Sequence, residues 1–140
     1  MFAAFFTGLL ITPSLNLINS SVEFVPYTMW GLMSVIFFLE RHHAVHAQIY
    51  STTNHIPFWI PVGISGILNL TIAIFLMNFV GYWAFPIALG VSNLFINNWW
   101  NVKISLQSIN QPIFKYLEKS FFIPLVFLFV SQLTLILIFI

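Results

Sequence analysis

The chain has 140 residues, of which 60% are hydrophobic and 5% charged, with a net charge of +1 and no cysteine. A soluble domain carries about 25% charged residues, so the composition excludes a water-coated globule, and no basic cluster exists to follow a nucleic-acid backbone. Without cysteine there are no disulfides, thiolate metal sites, iron–sulfur ligands or thiol nucleophiles. The expectation is an all-α integral membrane protein of antiparallel transmembrane helices.

The first segment, 2–18, is apolar from its opening residues and lacks both the positive n-region of a secretory signal and the arginine-rich amphipathicity of a transit peptide. Pro13 and Asn16 interrupt it, so spanning, re-entrant and interfacial readings stay open. Segment 24–39 is slightly short of the roughly 20 apolar residues that cross a bilayer, and Pro26 suits a first helical turn. These two make up an N-terminal extension, 1–54. The remaining residues, 55–140, form a membrane domain with helices predicted over 58–78, 83–100 and 121–140.

The cations set the topology. Arg41 is placed in the loop before the helix at 58, and Lys103, Lys115 and Lys119 in the loop before the last helix. The two intervening helices turn at Gly81-Tyr82-Trp83, which brings both loops to one side. The positive-inside rule assigns that side to the cytoplasm or mitochondrial matrix, with the C-terminus opposite.

Several residues are candidates for chemistry or packing. His42 and His46 are four apart, on one face if the helix continues there, and two imidazoles at that spacing could hold a metal. No third ligand accompanies them. Glu40 more simply pairs with Arg41, and the bland reading is a helix end at the membrane surface. Gly90, Asn93 and Asn97 share one helix face, and Gly66, Asn69 and Ala73 share another. Small residues and amides of this kind favour close helix packing in lipid, whereas an ion path would call for ionisable groups.

Trp59, Tyr82, Trp83, Trp99 and Trp100 fall at predicted helix ends, where such rings anchor at headgroup depth. Gln132 needs a hydrogen-bond partner within its apolar segment, which turns it toward protein. No Ser–His–acid grouping, glycine-rich phosphate cradle or carboxylate pair is present. No self-contained active site is expected.

One order of motifs carries a resemblance. His55, Pro57, Trp59 and Pro61 open a helix; a tight turn and a second helix ending Trp99-Trp100 follow; a later helix carries Ser131-Gln132. Over residues 55–140 this resembles the front of subunit 3 of the haem-copper cytochrome c oxidases, with the interval from Trp100 to Gln132 ungapped. It departs in two places. Asn101-Val102 replaces the family's Arg-Asp, and Gln132 replaces a membrane-embedded carboxylate, so any role requiring ionisation is lost.

The resemblance implies a non-catalytic core subunit, divergent or split, in the mitochondrial inner membrane or alternatively a bacterial plasma membrane. It would bind no haem or copper itself; haem a and copper belong to the catalytic partner subunit. A second polypeptide would carry the remaining helices. Phospholipid would be held against the first two family helices, with Trp59, Trp99 and Trp100 as lipid and interface anchors. His42, His43 and His46 belong to the N-terminal extension and have no family counterpart; contact with neighbouring subunits is the role expected of them. Three alternatives stand beside it: a membrane fragment of a proton-pumping NADH dehydrogenase or another respiratory accessory subunit, a small His-based metal-binding protein, and a free-standing carrier or channel.

Overall fold

A computed structural model describes residues 2–52 and 58–139. His55 and Pro57 of the motif order lie outside the described residues. Among those described, the chain is helical nearly throughout and contains no strand.

Helix α1, Phe2–Leu17, forms despite Pro13, whose ring removes one backbone donor. Its 16 residues reach about 24 Å, short of a hydrocarbon core of about 30 Å. It ends where Asn19 adopts a positive φ, with the Asn19 and Ser20 amides returning to the Asn16 and Leu15 carbonyls. That is a Schellman stop with asparagine in the usual glycine position.

Helix α2 runs Tyr27–Ser51. Pro26 precedes it as the N-cap, and its carbonyl accepts from the Trp30 amide. The apolar segment predicted at 24–39 is therefore only the first half of a helix of 25 residues. Arg41 lies inside that helix and not in a loop. No glycine or proline occurs from 40 to 52, and Glu40, Arg41, Ala44, Ala47 and Gln48 are good helix formers. Arg41 meets Glu40 at 3.6 Å and covers the Phe37 ring, a surface pairing of small energetic weight.

Helix α3, Trp59–Val80, turns through Gly81–Trp83 into α4, Ala84–Ser92. A π-helical segment, Asn93–Asn98, leads directly into α5, Trp99–Ser108. The helix predicted to stop at 100 thus runs on through half of the supposed polar loop. Asn101, Lys103, Ser105 and Gln107 are compatible with helix; the stop comes at Asn110, in a second Schellman geometry, followed by Pro112. Beyond it, α6 (Ile113–Leu117), a π segment (Glu118–Phe122) and α7 (Ile123–Phe139) form one continuous rod.

The contacts give an up-and-down order. Asn97 meets Ser65 across the Gly81 turn, so α3 and α4 are antiparallel. Trp30 donates to the Ala4 carbonyl, and Thr12 meets Tyr27, which makes α1 antiparallel to α2. His46 faces Tyr116 while Gly31 faces Gln132, so α2 and the α6–α7 rod are antiparallel as well. Helix α2 is central, touching α1, the α4–α5 rod and α7. The apolar core lies along it, with Ile36, Leu39, Ala84, Ala88, Leu106, Leu128 and Leu135 buried.

Among the described residues, two stretches are long and apolar enough to cross a membrane: Trp59–Ser108, folded back at Gly81, and Ile113–Ile138. Only 17% and 22% of their most apolar windows are buried within the chain. Ile67, Phe75, Phe79, Phe129 and Leu137 accordingly project outward.

Candidate functional site

A cluster of buried polar residues forms a seam between α2 and the α4–α5 rod, reaching Ser65 on α3 and Tyr116 on α6. The π segment creates it. An α-helix repeats every 3.6 residues, and the wider π turn lets the neighbours Asn97 and Asn98 both face inward. Asn97 donates to the Asn93 side-chain oxygen at 2.8 Å and to Ser65 Oγ on α3 at 3.1 Å. Asn98 turns toward α2 and donates to the Leu39 and Asn93 carbonyls, each at 3.0 Å.

Those donations fix the rest by elimination. With both amide hydrogens of Asn98 directed at carbonyls, its Oδ1 accepts from His42 Nδ1 at 2.8 Å. His42 then carries its proton on Nδ1, and its Nε2 is a buried lone pair without a partner. One turn further along α2, Ser105 Oγ donates to the Val102 carbonyl and so accepts from His46 Nδ1. His46 Nε2 in turn accepts from Tyr116 Oη at 2.8 Å. Hydroxyls on α5 and α6 therefore clamp His46, 1% exposed, from both sides.

These histidines lie beyond the apolar stretch of α2, at the end of the bundle that carries Arg41, Lys103, Lys115 and Lys119. Burial, and secondarily the neighbouring His42, pushes the His46 imidazole down to about 4. Burial also lowers His42, against the opposing hydrogen bond from Asn98. Both rings are neutral near pH 7, which matches the hydrogen-bond assignment.

The chemical scope of the seam is narrow. The relay from Tyr116 through His46 and Ser105 ends on the Val102 carbonyl, a closed stop for a proton. Ser105 is fully buried, so its hydroxyl offers no approach to a substrate. The His42 and His46 rings sit 5.0 Å apart between centroids, yet both nitrogens of His46 already hold hydrogen bonds. Among the described residues no group of three His, Asp or Glu gathers that could hold a metal. What the seam does is fasten helices.

The other candidates fall as follows. Asn93 and Asn97 are both buried, and on α3 it is Ser65 rather than Gly66 that accepts from Asn97. A Cβ on Gly66 would meet nothing within 4 Å, whereas one on Gly90 would press Ile36 of α2 at 3.3 Å. Asn69 is half-buried. Trp59, Trp99 and Trp100 are exposed, and the Asn97–Ser65 register places all three on the same side of that level. Trp99 and Trp100 lie within the long rod and not at its end. Gln132 is 4% exposed, with neither amide atom hydrogen-bonded.

Asn98, Ser105 and Tyr116 were not among the residues singled out from sequence, and Asn101, buried with its Nδ2 3.5 Å from His43 Nδ1, was noted only as a departure from the family motif. The signal was present, since Asn98, Asn101 and Ser105 are spaced i, i+3, i+7 along one helix face; the loop expected beyond 100 concealed it. Comparison with protein-family models, with curated proteins and with solved structures returned no match.

Proposed function

We propose that the chain is a non-catalytic integral membrane subunit that packs beside larger partners in a respiratory complex, in the manner of subunit 3 of a cytochrome c oxidase. The observation that carries the packing role is the division of its surfaces. The polar seam joins α2, α3, α5 and α6 internally, while the outward faces of α3 and α7 are apolar and uncovered. The oxidase assignment draws its support from the order of motifs: Trp59 and Pro61 at the entry to α3, the Gly81 hairpin, Trp99-Trp100, and Ser131-Gln132 on the next rod. The mitochondrial inner membrane is the favoured host, and phospholipid the favoured small partner.

Mechanistically, such a subunit contributes by shape. Neutral amides and imidazoles hold the helices in register, the exposed tryptophans set depth at the interface, and no group titrates inside the apolar stretches. The NADH dehydrogenase alternative would call for a lysine or glutamate within them, and 59–80, 84–100 and 121–140 contain none.

The test is purification in mild detergent through a tag on this chain, with mass spectrometry and a reduced-minus-oxidised spectrum. Co-purification of a haem a–copper subunit together with a polypeptide bearing further helices is the expected outcome. Recovery with a flavin and iron–sulfur assembly would transfer the chain to the NADH dehydrogenase, and recovery alone would overturn both assignments.

A further inference from the structure

Between α2 and α7 runs an open groove of about 320 Å³, a volume at the lower end of ligand pockets. Its walls are Leu32, Val35, Phe129, Leu133 and Ile136, and no charged side chain lines it. Gly31 lies opposite Gln132 across the groove: a Cβ there would make ordinary contact with Gln132 Cβ at 3.6 Å and Gln132 Oε1 at 3.9 Å.

Gln132 sits in this groove with both Oε1 and Nε2 buried and without a hydrogen bond. A buried amide left unpaired is costly, and here donor and acceptor are unpaired together, in a groove whose other polar side chain is the Thr28 hydroxyl. We infer that the α2–α7 groove binds the un-ionised carboxylic acid of a long-chain fatty acid, its head group paired with the Gln132 amide.

The chemistry selects this occupant. A carboxylic acid and a primary amide form a cyclic pair: the acid O–H donates to Oε1, and Nε2–H donates to the acid carbonyl. One head group thus satisfies both orphaned atoms. A phosphodiester or an ester offers acceptors only and leaves Oε1 unpaired. An ionised carboxylate would need a cation, and the groove has none. The chain of methylenes then lies along the apolar walls toward Ile136. The site rests on the groove and Gln132 alone and is independent of the oxidase assignment.

The experiment uses the full chain in nanodiscs of phosphatidylcholine, with radiolabelled palmitic acid as the probe. Saturable binding of one palmitic acid per chain is expected, displaced by palmitamide, which also presents donor and acceptor, and not by methyl palmitate, which lacks the donor. Gln132→Leu should weaken binding about tenfold or more, the effect of losing two hydrogen bonds, while helicity by circular dichroism stays unchanged. Equal displacement by methyl palmitate would overturn the inference, as would undiminished binding to Gln132→Leu or the absence of saturable binding. The two competitors are compared on the unaltered protein, so the result does not depend on the variant folding.

Discussion

His46 concentrates the residue-scale argument. It is buried, held by Ser105 and Tyr116, and titrates at about 4 against its ordinary value of 6.5. The unfolded chain therefore takes up the proton first as pH falls. Stability fully present above pH 6.5 is lost progressively down to about pH 4. The midpoint of unfolding by SDS in maltoside micelles should accordingly drop between pH 7 and pH 4.5. His46→Leu should weaken that dependence, leaving the part due to His42 and His43, which burial also lowers, while lowering the midpoint at pH 7, because two hydroxyls lose their partner. A wild-type midpoint unchanged across this range would remove the buried neutral histidine from the account. The spacing of His42 and His46 was legible in the sequence. Their role was not, because the hydroxyls that occupy His46 come from residues 59 and 70 positions away.

At the scale of elements, the Gly81 hairpin and the two long rods carry the fold. Gly81 has φ +57, and a side chain there would be strained although open space surrounds it. Gly66 also faces open space, but in ordinary helical geometry. Gly81→Ala should destabilise the chain by about 1–3 kcal/mol, whereas Gly66→Ala should stabilise it by up to about 1 kcal/mol; thermal unfolding followed by circular dichroism compares them. Equal effects would mean that the turn conformation is not what Gly81 supplies. The hairpin, with its flanking helices at 58–78 and 83–100, was readable from hydropathy and the Gly81-Tyr82-Trp83 turn. The helical extensions at 40–51 and 101–108 were not. Polar composition reads as loop when hydropathy is the only guide, yet neither stretch contains glycine or proline, and their polar groups pair across α2 and α5. The Asn19 and Asn110 stops are local signals that hydropathy passes over.

The whole molecule is asymmetric. Arg41, Lys103, Lys115 and Lys119 gather at the end where α2 and α5 finish, while the loop joining α1 to α2 holds only Glu23 among charged residues. Grouping these cations on one side was derivable from sequence, and the antiparallel order of helices keeps them together even though all four, Lys115 and Lys119 included, lie in helical segments and not in loops. The central claim is that this bundle lies across a membrane with its cationic end on one face. Because the chain has no cysteine, single probes at Ser21 and Lys119 can report on it. Ser21→Cys and Lys119→Cys would be treated with a membrane-impermeant maleimide in sealed right-side-out and inverted vesicles. The account predicts that each labels in one vesicle orientation only, and that the two label in opposite orientations. Labelling of both from the same face, or of each from both faces, would contradict it.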